Sequence, residues 1–177
     1  MWSQVNPHEI RLQKHQERWP LNVWAGIHGD RLLGPYLLPE RLSGQSYLVF
    51  LNEVLTEFLD DIPLAAIQGL WFQHEGAPAH FCAPVRGWLD MEYRGRWNGR
   101  GGPPRSPDLT PLDFFLWGHL KELVYRDVVT TQMDLVARLH AACTLVDPAM
   151  LQRVMTAIPR RAHACIDMHG GHFEHLL

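Results

Sequence analysis

At 177 residues and 20.4 kDa the chain has the size of one ordinary domain, and its 46% hydrophobic and 10% aromatic residues supply enough apolar surface to exclude wholesale disorder. Sixteen Lys and Arg against nineteen Asp and Glu leave a net charge of −3, so any nucleic-acid binding must come from a local basic patch, not from the field of the whole molecule. Three widely spaced cysteines (Cys82, Cys143, Cys165) point to reduced intracellular surroundings, Met1-Trp2-Ser3 opens no basic-then-apolar leader, and no apolar run approaches the roughly 20 residues that span a bilayer.

After a polar start over residues 6–18, Leu21-Asn22-Val23-Trp24-Ala25-Gly26-Ile27 reads as a strand. His28-Gly29-Asp30 is a turn signal, and Arg31-Leu32-Leu33-Gly34-Pro35-Tyr36-Leu37-Leu38 is the hairpin partner. Ser43 then heads a helical pattern through Leu59, closed by Pro63, in which Tyr47, Leu51, Val54, Leu55 and Phe58 recur at steps of three and four. Residues 67–72 are short, apolar and aromatic, and predict a buried strand that delivers Gln73, His74 and Glu75 to its carboxyl end, where ligand-facing groups tend to sit. A helix over 84–91 and a Gly/Arg-rich loop over 94–105 follow. Thr110-Pro111 then opens a helix with Leu112, Phe115, Leu116, Leu120, Leu123 and Val124 on one face, and two more helices cover about 132–146 and 148–168. No internal repeat or low-complexity segment interrupts this order, which is that of an α/β sheet covered by helices. Trp19, Trp24, Trp71 and Trp117 lie in apolar segments and are expected in the core.

Two acids stand out by position. Glu75 lies in His74-Glu75-Gly76-Ala77-Pro78-Ala79-His80 at a strand end, and Asp113 lies in Ser106-Pro107-Asp108-Leu109-Thr110-Pro111-Leu112-Asp113-Phe114-Phe115-Leu116-Trp117-Gly118 at a helix start. Each has an ordinary explanation: Asp113 as a first-turn acid behind a Thr110 N-cap, Glu75 as a solvated loop acid. His74, Glu75 and His80 lack the His-Glu-x-x-His spacing of a zinc protease, and Pro78 breaks the helix it needs. Cys165, His169, His172 and His175 have tolerable zinc spacing but no second Cys pair. Arg86, Arg94, Arg96, Arg100 and Arg105 fall within twenty residues whose acids are Asp90 and Glu92, with Trp88 and Trp97 interleaved. That composition suits a phosphate backbone, with a plain solvated loop as the alternative.

The two acidic segments resemble the signature of mariner-like transposases, which pairs an Asp-Gly-Ala-Pro-x-His or Asp-Asn-Ala-Pro-x-His segment with a Ser-Pro-Asp-Leu-x-Pro-x-Asp segment; the second is matched without a gap. The resemblance continues in Asn6-Pro7-His8, in Asn22-Val23-Trp24-Ala25-Gly26-Ile27 and in Gly170-Gly171-His172-Phe173-Glu174, so it covers nearly the whole chain. It implies an RNase H-like mixed sheet flanked by helices, in which three carboxylates hold two Mg²⁺ (or Mn²⁺) ions ~3.5–4 Å apart, one activating water or a DNA 3′-hydroxyl and the other stabilising the leaving oxygen. On this resemblance Glu75 and Asp113 are the catalytic and metal-binding acids; the composition of their own segment makes Arg86, Arg94, Arg96, Arg100 and Arg105 the candidate DNA contacts.

Three departures shape the expectation. The family's first Asp lies on a central strand ahead of the hairpin, which this chain is expected to lack. Glu stands at position 75 where the family has Asp, and the added methylene shifts the carboxylate. The family's amino-terminal helix-turn-helix region is also expected to be missing. The chain is therefore expected to be a single truncated catalytic domain, with residues 1–130 carrying the sheet and remnant site and 131–177 the C-terminal helices. Two unpaired strand edges should face one another where the central strand would lie. Function then reduces to weak, non-specific DNA binding in the nucleus or cytoplasm, with strand cleavage and transfer lost and a homodimer as the natural self-association; neither a membrane nor a small-molecule substrate is implied. The alternative is a domesticated module that dimerises through 131–177 without a DNA role.

Overall fold

The computed structural model describes residues 19–100 and 106–177, so Asn6-Pro7-His8 with the rest of the polar start, and Arg105 in the basic loop, lie outside the described residues. Alternation sets the first element. In β1 (Asn22–His28) Val23, Ala25 and Ile27 face one core cluster and Trp24 faces another, so both faces of the strand are covered. The chain turns at Gly29-Asp30 and returns antiparallel as β2 (Arg31–Leu38), with Asn22 opposite Leu38, His28 opposite Arg31 and a register shift between Trp24 and Gly26.

Ser43 starts the next helix as its sequence predicts. Its hydroxyl accepts from the Ser46 N–H at 3.1 Å while the Ser46 hydroxyl accepts from the Ser43 N–H at 3.0 Å, which satisfies two donors that a helix start leaves orphaned. Helix α1 (Gly44–Val49) continues through a π-helical stretch (Phe50–Leu55) into α2 (Thr56–Asp60). The inward residues Tyr47, Phe50, Leu51 and Leu55 pack with Phe72 and Leu89 in one core cluster. Trp24 joins it from β1, its ring 4.8 Å from that of Phe50.

Residues 67–72 depart from the expected strand. Pro63 opens α3 (Leu64–Gln68), whose Leu, Ala and Gln are good helix formers, and Gly69 ends it, so the strand shrinks to β3 (Phe72–Gln73). A short apolar run carries no periodicity that separates the two outcomes. Helix α4 (Ala83–Glu92) follows, and then β4 (Trp97–Asn98), which pairs parallel with β3 inside the segment expected to be a loop. Trp71 also departs from expectation: it is 67% exposed, because its neighbours Phe72 and His74 take the buried side of the strand.

Beyond a 3₁₀ turn (Pro107–Leu109) and a π-helical turn (Leu112–Leu116), three helices complete the fold: α5 (Trp117–Val124), α6 (Gln132–Thr144) and α7 (Pro148–Asp167). Thr131 and Asp147 cap α6 and α7, each accepting from a backbone N–H three residues on. Leu116, Leu120, Leu135, Leu139 and Leu151 from these elements bury against Ala25 in the second cluster. Helices thus cover both faces of the hairpin. The strands form two separate two-stranded sheets, β1-β2 and β3-β4. Between β1 and β3 lies an apolar cleft of about 890 Å³, walled on the helix side by Leu120, Val124, Leu135 and Leu139. Among the described residues no ladder joins β1-β2 to β3-β4.

All three cysteines are free: Cys143 is buried in α6, where burial pushes its thiol up to about 11, while Cys82 and Cys165 are half-buried. A thiol reagent at about pH 8 is expected to modify Cys82 and Cys165 first and to reach Cys143 only when urea unfolds the chain. Three equal rates in the native protein would show that α6 does not pack as described.

Candidate functional site

Glu75 and Asp113 rest on unlike pieces of backbone. In the segment around β3, Phe72 and His74 point inward and Trp71, Gln73 and Glu75 outward, so Glu75 inherits the open side. The chain then passes through Gly76-Ala77 into a 3₁₀ turn (Pro78–Phe81). His80 closes this loop: its Nδ1 lies 3.3 Å from the Glu75 carbonyl oxygen, and its ring lies 4.0 Å from that of Tyr47. The His74 ring follows 5.5 Å beyond, edge-on to Trp97. This stack leaves so little room that a Cβ on Gly99 would stand 2.5 Å from His74 Nε2. The Glu75 loop therefore sits on a buried aromatic floor. Burial first, and the Glu75 carboxylate second, raise the Tyr47 hydroxyl well above the ordinary tyrosine range, so Tyr47 stays protonated.

Asp113 is exposed in the turn Leu112–Leu116, two residues after Pro111. The expected Thr110 cap takes a different form. Its hydroxyl donates to the Ser106 carbonyl at 2.9 Å and accepts a long 3.5 Å bond from Gln73 Nε2. That bond joins the strand end bearing Glu75 to the helix start bearing Asp113, at the rim of the cleft that Glu75 and residues 109–112 line. Among the described residues no group of three or more His, Cys, Asp or Glu gathers around one point, and the set Cys165, His169, His172 and His175 is no exception. Mg²⁺ prefers oxygen donors, keeps several waters and commonly uses one or two carboxylates with substrate phosphates. Glu75 and Asp113 are of the right chemical type for such an ion.

The arginines separate by what reaches them. Arg96 turns inward, its Nη1 donating to the carbonyls of Gln68 at 2.6 Å, Leu70 at 3.1 Å and Ile67 at 3.5 Å, so it closes the end of α3 ahead of β3. Arg86 and Arg100 converge on Phe81, their guanidinium carbons 4.6 and 5.8 Å from its ring centroid. Arg94 is exposed. Sequence reasoning missed Arg161, because nothing in Pro159-Arg160-Arg161 marks one arginine as inward. Its Nε donates to the Asp108 carbonyl at 2.6 Å, its Nη2 meets the Glu174 carboxylate at 3.2 Å, and its guanidinium lies 4.2 Å over the Phe114 ring. It ties α7 to the two turns that carry Asp113.

No protein-family profile matches the chain. The transposable element Tcb1 transposase of Caenorhabditis briggsae is 27% identical over 149 residues, which are 84% of this chain and 52% of that protein. This is a sequence similarity to the Tc1/mariner transposases. The chain spans about half the length of this curated relative. Among solved structures, the Mos1 transposase catalytic domain with raltegravir and Mn superposes with a TM-score of 0.70 at 23% identity, over 87% of this chain and 76% of that one. A pre-cleavage Mos1 transpososome gives 0.74 at 19% identity, over 98% of this chain and 52% of the other. The chain therefore has the RNase H-like fold of these catalytic domains, a mixed α/β arrangement with small sheets flanked by helices.

The Arg161 side chain is only 13% exposed and bonds a main-chain carbonyl 53 residues away. Arg161→Ala is expected to lower the free energy of urea unfolding by about 2 kcal/mol, the scale of a lost hydrogen bond to a charged group. Arg161→Lys should recover little of it, since an ammonium lacks the planar fork that spans Asp108, Phe114 and Glu174. Full recovery by lysine would mean that charge alone, without geometry, holds the Asp113 turns.

Proposed function

We propose that this chain binds DNA as a transposase-type catalytic domain and holds one divalent ion, Mg²⁺ or Mn²⁺, between Glu75 and Asp113. The observation that carries this reading is the Gln73–Thr110 bond, which brings the two acidic segments together at the cleft rim. The relatives support it: Mos1 is described with Mn, with Mg, in a paired-end complex and with the left transposon end. The exposed Arg86, Arg94 and Arg100 supply cations for DNA phosphates, while Arg96 is occupied by main-chain carbonyls. With a net charge of −3 over the chain, that contact is local, weak, sequence-independent and salt-dependent. Two carboxylates suit a single ion bridged to substrate phosphate better than the pair of ions used in an in-line displacement. We therefore read the site as one that binds without cleaving, on a single domain in which 1–130 carries sheet and site and 131–177 the closing helices.

Calorimetry with Mg²⁺ and Mn²⁺ on the parent and on Asp113→Ala tests this directly, since exposed Asp113 can be changed without disturbing the core. Binding heat in the parent that vanishes in the variant is the expected result, with no nicking of supercoiled plasmid by either. A folded parent that gives no heat would overturn the metal site, and nicking that Asp113→Ala abolishes would overturn binding without cleavage.

A second reading, self-association through 131–177, is favoured by Met133 at 82%, Leu145 at 61% and Ile166 at 72% exposure in the α6–α7 region. On that reading Met133→Lys with Ile166→Lys removes concentration-dependent sedimentation and leaves DNA affinity unchanged; association that persists in the double variant would sink it.

A further inference from the structure

Arg86 and Arg100 are exposed, form no ion pair among the described residues, and yet converge on one phenyl ring. Around them opens a basin of about 580 Å³ bounded by Phe81, Ala83, Gly87, Asp90, Trp97 and Gly99. Its one acid, Asp90, accepts from the Trp97 indole N–H at 2.8 Å and forms no ion pair with either arginine among the described residues, so the basin keeps two guanidiniums against one carboxylate. Two like charges drawn to a single ring repel each other, and an anion placed between them removes that cost.

The basin's position is set by a bare backbone. A Cβ on Gly76 would stand 3.3 Å from Arg100 Cβ and 3.6 Å from its Cγ, so the arginine stem lies directly against the residue that follows Glu75. The cations are thereby held beside the acidic loop. Two guanidiniums lie over Phe81, and Trp97 is fixed by Asp90, so neither ring is presented for stacking on a base.

We infer that this basin is a phosphodiester site, in which Arg86 and Arg100 take neighbouring phosphates of a DNA strand whose path continues to Glu75. The inference rests on the reading that the chain binds DNA, and it makes that binding a matter of backbone charge with no reading of bases.

The test is fluorescence anisotropy with two duplexes of about 20 bp and unrelated sequence, over a salt series. Arg86→Ala/Arg100→Ala should weaken both duplexes by the same factor and flatten the slope of log affinity against log salt by about 1.8, two phosphates at about 0.9 each. Arg153→Ala/Arg160→Ala, the same charge change at exposed positions of α7, should leave the slope within about half a unit of the parent. A parent that binds neither duplex overturns the DNA reading and the basin with it. A parent that binds while Arg86→Ala/Arg100→Ala keeps its slope, or loses affinity for one sequence only, overturns the basin alone.

Discussion

The geometry of the candidate site depends on guanidinium groups that hold main-chain carbonyls. A helix end leaves carbonyl oxygens without partners, and α3, at five residues, is almost all end. Arg96 reaches back 26 to 29 residues to satisfy the carbonyls around its exit. Arg138 does the same for the exit of α5, donating to the carbonyls of Val124, Asp127 and Val128, and is itself steadied by Asp134 at 2.8 Å. The Arg138 bond, followed by the Thr130 N–H, holds the Asp134 carboxyl below the usual range. Arg161 reaches 53 residues to Asp108. A two-residue strand cannot fix a loop by ladder bonds alone. Charged donors worth about 1.5–3 kcal/mol each can, and they come from distant points on the chain.

Packing supplies the second constraint. The β1-β2 hairpin is covered on both faces, so the two core clusters communicate through its side chains: Trp24 stacks at 5° and 5.7 Å on Phe58 and touches Phe50, while Ala25 meets the cluster of α5 and α6. Among the described residues no strand pairing links this hairpin to β3-β4. The Glu75 loop is therefore referenced to the hairpin indirectly, through Tyr47 and Phe50, rings that stack at 5.6 Å. A perturbation of Phe50 is transmitted to His80 and the Glu75 carbonyl because that aromatic column is rigid and close-packed.

The parts of the fold legible in the sequence were those governed by neighbours three or four residues away. The alternation of β1, the Gly29-Asp30 turn, the Ser43 cap and the helices near 132–146 and 148–168 all follow local rules. What escaped was decided at long range. Residues 67–68 ended a helix where a strand over 67–72 was expected, and Trp97-Asn98 became a strand inside a Gly/Arg segment because Phe72 lay alongside to pair with it. Thr110 looked like a cap and instead bonds Ser106 and Gln73. The placement of Glu75 just past a strand and of Asp113 in a first helical turn was legible because both follow from local sequence. The arginines were not: Arg86, Arg96 and Arg100 look alike as letters, and only the carbonyls around Arg96 and the ring beneath the other two tell them apart.

That division of the arginines carries an electrostatic consequence. Glu75 and Asp113 repel a phosphate, and in a chain of net charge −3 no distant field offsets this. Arg96, Arg138 and Arg161 are committed to carbonyls, so among the described residues local compensation comes from exposed cations such as Arg86, Arg94 and Arg100. On the proposed reading, a divalent ion held by the acids would lower the repulsion that DNA meets, and DNA phosphate would offer that ion another oxygen donor. Each ligand must then raise the affinity for the other by the same factor, because linkage between two binding equilibria is reciprocal. DNA and metal are on this view one coupled equilibrium at the edge of the cleft, with Arg100 joined to the acidic loop through its contact on Gly76.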